Sequence, residues 1–165
     1  MLTESMEDYL ETLFRLTQEK GYIKAVDLAE TLKVQPSSVT RMLQKLHREG
    51  FIQYHKYRHI ELTEKGKRLG YFLLWRHRIL KEFLALLGAQ KGVEEQVEGI
   101  EHYITPATMG LIRNLVLYLQ AKPQARDSIQ KMGDQASYPQ GEDLKELRAW
   151  LFRHSSRPQG CYPEA

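Results

Sequence analysis

Cysteine is nearly missing from this 165-residue chain. Cys161, close to the C-terminal end, is the single one, which excludes a disulfide framework and the stapled folds of small secreted domains. Long apolar runs are missing too. A membrane span needs about 20 consecutive apolar residues, and the densest run here, Tyr71 to Trp75, stops at Arg76. The opening residues, Met1-Leu-Thr-Glu-Ser-Met-Glu-Asp, are acidic and have no apolar core, so they read as no signal peptide. No internal repeat or low-complexity tract is visible. These absences give the expectation of a cytoplasmic protein with no membrane association. What is present is ordinary: 42% hydrophobic and 27% charged residues, enough for one normal core or two small domains sharing an interface.

The excess of positive over negative charge is small, a net +3, but it is unevenly placed. Between Lys33 and Arg68 nine Lys/Arg (33, 41, 45, 48, 56, 58, 65, 67, 68) face three acids (49, 61, 64), a local +6 that leaves the rest of the chain at −3. A basic block inside a near-neutral protein points to a polyanionic partner, with a plain solvated helical face as the competing account.

Hydrophobic spacing predicts a mainly α protein. Met6, Tyr9, Leu10, Leu13, Phe14 and Leu16 recur at helical intervals over 4–20, and Gly21 follows as a stop. A short helix over 24–32 turns Ala25, Leu28, Ala29 and Leu32 inward. Pro36 then opens a third, running to about Arg48 with Val39, Met42, Leu43 and Leu46 buried. Two β-like runs, Phe51 to Tyr54 and His59 to Leu62, flank the polar turn at 55–58. Thr63 caps a long helix to about Leu87, although Gly66 and Gly70 weaken its first turns. Further helices are expected over Val93 to Ile104 and from Pro106, the latter with Met109, Ile112, Leu115, Val116 and Leu119 inward and closed by Pro123. Pro123 to Lys131 is a helix candidate, Gly133 to Gly141 a linker, Glu142 to His154 an amphipathic helix, and Ser155 to Ala165 a disordered tail.

Helix, short helix, turn, helix and two-stranded hairpin is the order of a winged helix-turn-helix, whose second helix enters the major groove by its N-terminal end. That end carries Ser37, Ser38, Thr40, Arg41 and Gln44 on the polar side. Short hydroxyls and helix N-terminal amides suit phosphates, while Arg41 and Gln44 suit base edges. Lys56, Tyr57 and Arg58 at the hairpin tip form a wing for the adjacent backbone or minor groove. Double-stranded operator DNA is the expected partner.

Carboxylates and imidazoles recur behind this region. Asp8 and Glu11 are three apart on the first helix, His77 lies mid-way along the long one, and Glu98, Glu101 and His102 stand at i, i+3 and i+4. Groups so spaced on several helices are how helical proteins assemble metal clusters. Bland accounts stand beside this one: Asp8 and Glu11 as acids complementing a helix dipole, His77 as a packed core residue, and Glu98, Glu101 and His102 as a solvated face.

The pieces Ser5-Met-Glu-Asp-Tyr-Leu-Glu, Gly21-Tyr, Pro36-Ser-Ser-Val-Thr, Gln44-Lys-Leu, Tyr54-His-Lys-Tyr-Arg, Leu62-Thr-Glu-Lys-Gly-Lys, Arg76-His77 and Val97-Glu-Gly-Ile-Glu-His give the chain a family likeness. It resembles the diphtheria-toxin-repressor superfamily in its manganese transport regulator branch, over about Met1 to Leu119 and more weakly to Lys131. The resemblance implies a homodimeric repressor with a winged-helix domain, set here at 1–70, and a helical dimerisation and metal-binding domain, set at 71–132; it says nothing of the linker, amphipathic helix and tail at 133–165. It implies Asp8, Glu11, His77, Glu98, Glu101 and His102 as ligands of a two-ion Mn²⁺ site in each subunit. Iron-sensing members carry Met at the position of Asp8 and Cys at that of Glu101. Oxygen at both suits hard Mn²⁺. Neither catalysis nor a small organic substrate is expected. The competing readings are an iron-responsive repressor of the same superfamily, a binuclear metallohydrolase and a metal-independent winged-helix regulator.

Overall fold

A computed structural model of the protein describes residues 2–54, 59–89 and 91–132, and beyond them Ala149, Phe152 and Arg153. The chain divides into two compact units, Met1–Arg78 and Ile79–Ala165, and the division falls inside one long helix.

The first unit opens with α1, Glu4–Lys20. Met6, Tyr9, Leu10, Leu13 and Leu16 are its buried residues in the main core, and the helix ends where Gly21 adopts φ 75° and donates its N–H to Thr17 O at 2.9 Å. Only glycine takes that left-handed turn without strain. Helices α2, Ala25–Leu32, and α3, Pro36–Arg48, add Leu28, Ala29, Val39, Leu43 and Leu46 to the same core, while Met42 is half-buried. Pro36 sits at the first position of α3, where a missing N–H costs nothing.

Strands β1, Ile52–Tyr54, and β2, Ile60–Leu62, pair antiparallel with Ile52 opposite Leu62 and Tyr54 opposite Ile60. An isolated bridge joins Ile60 to Ile23, whose carbonyl accepts from Ile60 N–H at 2.9 Å. The hairpin tip, 55–58, lies outside the described residues. Helix α4, Glu64–Leu86, starts at Thr63, whose Oγ1 accepts from Gly66 N–H at 3.1 Å and donates to Gly50 O at 2.7 Å. Gly66 and Gly70 mark close packing rather than weak helix. A methyl group at Gly66 would collide with the Phe51 carbonyl, and one at Gly70 would stand 2.6 Å from Phe14 Cβ.

The second unit contains α5, Val93–Ile100, a 3-10 turn at Glu101–Tyr103, α6, Pro106–Ala121, and α7, Pro123–Met132. Among its described residues, Ile79, Leu80, Val97, Met109, Val116 and Leu119 are the buried apolar ones. Lys81 Nζ reaches Glu94 Oε2 at 2.6 Å, and Gln130 Nε2 donates to Leu86 O at 3.0 Å.

Two sequence expectations change here. The helix expected over Val93 to Ile104 is α-helical only to Ile100. Thr105 is extended (φ −71°, ψ 157°), as the residue before Pro106 is driven to be, so the chain tightens and turns before α6. On α6, Leu115 is 41% exposed and Ile112 half-buried rather than inward. No described helix is long and apolar enough to cross a membrane. Of the expected linker, C-terminal helix and tail, Ala149, Phe152 and Arg153 are helical, and the other positions lie outside the described residues.

Candidate metal centre and nucleic-acid interface

The DNA-reading residues expected on α3 occupy its outer side. Ser37, Ser38, Arg41 and Gln44 are exposed while Val39, Leu43 and Leu46 are buried, so burial of one face presents the other. Thr40 is half-buried, and its hydroxyl donates to Pro36 O at 3.0 Å, which leaves its lone pairs for an incoming donor. Two further residues join this surface. His47 and Arg48, with Gln44 and Tyr54, line an open groove of about 430 Å³ beside α3 and β1. His47 Nδ1 lies 3.1 Å from Ile52 O and 3.3 Å from Tyr54 N, tying α3 to the hairpin. The sequence signal for Arg48 was its place in the basic block; His47 carried none beyond its position. Lys56, Tyr57 and Arg58 lie outside the described residues.

The expected metal ligands fall in both units. In the first, Glu11 on α1 and His77 on α4 are half-buried and offer ligand atoms within 4.8 Å of each other. Asp8 is exposed on α1, three residues before Glu11. The core seam that buries Leu10 and Leu13 of α1 with Leu73 of α4 sets up this approach.

In the second unit, Glu101 is 3% exposed and His102 Nε2 lies 4.0 Å from Glu101 Oε1. The change from α to 3-10 winding at Glu101 separates these two from Glu98, which remains exposed on α5. The three therefore do not share one continuous α-helical face, contrary to the spacing argument. A solvated-face account fails for Glu101, because a carboxylate this deep needs compensating donors or a cation. Each unit thus pairs a carboxylate with an imidazole, and these oxygen and nitrogen donors fit a divalent cation.

Sequence reasoning missed Arg76. It is 3% exposed, and its Nη2 donates to Glu7 Oε2 at 2.9 Å across 69 residues of chain. Its traces in the sequence were a charge closing the densest apolar run and a place beside His77 in one of the family-like pieces, neither of which named a partner.

Residues 1–60 match the family described as Iron dependent repressor, N-terminal DNA binding domain, and residues 63–130 match Iron dependent repressor, metal binding and dimerisation domain. The HTH-type transcriptional regulator MntR of Geobacillus thermodenitrificans (strain NG80-2) is 44% identical over 139 residues, covering 82% of this chain and 99% of its own. The regulator of the same name from Bacillus subtilis (strain 168) is 44% identical over 135 residues, covering 79% of this chain and 95% of its own. Among solved structures, the manganese regulator SloR superposes with a TM-score of 0.60 at 27% identity, over 68% of this chain and 54% of that one. The IdeR of T. acidophilum gives 0.57 at 28%, over 68% and 53%. This chain spans about half the length of those two structures. It belongs to the iron-dependent repressor family, in the MntR group of helix-turn-helix transcriptional regulators, and is a DNA-binding regulator rather than an enzyme.

Proposed function

We propose that this regulator is a manganese-dependent repressor of manganese uptake genes, binding operator DNA as a cytoplasmic homodimer when two Mn²⁺ ions occupy each subunit. The observation that carries the reading is the carboxylate–imidazole pair in each unit, Glu11 with His77 and the buried Glu101 with His102. Asp8 and Glu98 complete the ligand set. Residues 1–70 read DNA through Ser37, Ser38, Thr40, Arg41, Gln44, Lys56, Tyr57 and Arg58, and residues 71–132 dimerise and hold metal together with Asp8 and Glu11 of α1.

Manganese supplies positive charge and a preference for hard oxygen and nitrogen ligands. The chain's own groups make binding conditional. Asp8, Glu11, Glu98 and Glu101 are four carboxylates, and at ~6 Å and an effective dielectric of ~20 each like-charge pair costs on the order of 3 kcal/mol before screening. Drawing them together is unfavourable unless cations are present. Because α1 belongs to the DNA-binding unit yet carries two ligands, neutralising that repulsion favours one spacing of the dimer's reading helices over many.

We place the dimer contact on the outer side of α6 rather than on the expected inward stripe of Ile112, Leu115, Val116 and Leu119. Val116 and Leu119 are each 1% exposed. Leu111, Leu115 and Tyr118, at i, i+4 and i+7 on α6, are 71%, 41% and 54% exposed and form the apolar face available to a second subunit.

Anaerobic calorimetry tests the ligand assignment. The wild type takes up two Mn²⁺ per subunit and Asp8→Met about one, while Asp8→Met with Glu101→Cys shifts preference from Mn²⁺ toward Fe²⁺ or Co²⁺. A wild type that holds one ion, or a double variant that still prefers Mn²⁺, contradicts the assignment.

A further inference from the structure

The ion pair between Glu7 and Arg76 sits where the α1 and α4 ligands of the first unit meet. Glu7 precedes Asp8 in sequence and stands one helical turn before Glu11 on the same face of α1; Arg76 immediately precedes His77 on α4. The pair measures 2.9 Å, with the Arg76 side chain 4% exposed and that of Glu7 20% exposed. It therefore bridges the two helices about one turn from the place where Glu11 and His77 approach within 4.8 Å.

We infer that Glu7 and Arg76 are positioning residues for the metal ligands: their ion pair sets the register of α1 on α4 so that Glu11 and His77 are held ready for one ion. This rests on the metal-site reading given above. Beside the pair, Leu10, Leu13 and Leu73 pack as apolar surface, and apolar contact is non-directional. The close fit of Phe14 on Gly70 lies about two turns of α1 further along, away from the pair. A charge-assisted hydrogen bond prefers one distance and one angle, so it selects a helix register that hydrophobic burial leaves loose. Stability does not account for the pair, because well-packed apolar residues of similar volume commonly serve as well or better at buried positions. Registry is the best-attested use of such groups.

The test separates positioning from packing. Glu7→Leu with Arg76→Met replaces the pair by apolar volume, and Glu7→Gln keeps shape and one acceptor while removing the charge. Three properties are read on the full-length chain: melting of the chelator-treated protein, Mn²⁺ affinity by calorimetry, and the visible d–d spectrum of the Co²⁺-loaded form. The double variant should melt near the wild type yet bind Mn²⁺ at least ~10-fold more weakly, with an altered Co²⁺ spectrum, as partners that orient ligands generally do when lost. Glu7→Gln should show the same loss and carries the test alone if the double variant does not fold. Wild-type Mn²⁺ affinity and an unchanged Co²⁺ spectrum in folded variants would overturn the inference. A wild type that takes up no Mn²⁺ would instead overturn the metal-site reading beneath it.

Discussion

Gly70 shows how far a single residue can depart from its propensity. Within a helix, glycine is worse than alanine by roughly 1 kcal/mol, so the sequence makes Gly70 look like a weakness of α4. Its missing side chain is the space into which Phe14 packs: an added Cβ would lie 2.6 to 2.9 Å from three Phe14 atoms. Gly70→Ala is expected to destabilise the protein by about 1–3 kcal/mol, since overpacking outweighs the helix gain. Urea unfolding measures it, and a more stable variant would mean that Phe14 yields freely. The same limit governs the metal centre. Glu11, His77, Glu101 and His102 stand out in the sequence because carboxylates and imidazoles are chemically distinctive at helical spacing. Arg76 was not, because its role depends on a partner 69 residues away that no local pattern announces. The burial of Glu101 and the exposure of Glu98 escaped for a related reason, being set by how the chain turns rather than by spacing.

Elements were read best where punctuation is strong. Pro36 fixed the start of α3, and Pro106 and Pro123 opened α6 and α7. The Ile23–Ile60 bridge was not legible, because one pair of residues leaves no periodicity. Nor was the change from α to 3-10 winding at Glu101, which no residue type there announces. The start of α2 yields a pH prediction. Lys24 N–H donates to Asp27 Oδ2 at 2.8 Å, and Lys20 Nζ reaches Asp27 Oδ1 at 3.1 Å. The backbone bond first, and the Lys20 side chain second, hold the Asp27 carboxyl below its ordinary value of 3.8. A depressed carboxylate contributes stability that is complete above the unfolded-state value and lost as pH falls through the folded one. Asp27→Ala should therefore cost about 1 kcal/mol at pH 7, and the difference from wild type should shrink as pH drops below 3.8. Denaturant midpoints across that range check it, and a gap that widens in acid would contradict the sign.

At the scale of the whole molecule, we propose that metal acts on domain arrangement and leaves assembly alone. Leu111, Leu115 and Tyr118 expose apolar surface on α6, and none of them is a candidate metal ligand. Sedimentation in excess chelator should therefore report a dimer, twice the 19.3 kDa chain. A monomer there, becoming a dimer on adding Mn²⁺, would make assembly the controlled step. The most direct measurement is the anisotropy of a labelled duplex from upstream of a manganese-uptake gene, titrated with protein at one fixed salt concentration. It is run once with chelator and once with saturating Mn²⁺, because affinities at different salt cannot be compared. The account predicts tight, sequence-selective binding with Mn²⁺ and only weak, nonselective binding with chelator. Equal affinity in the two titrations, with an intact dimer in both, would contradict it.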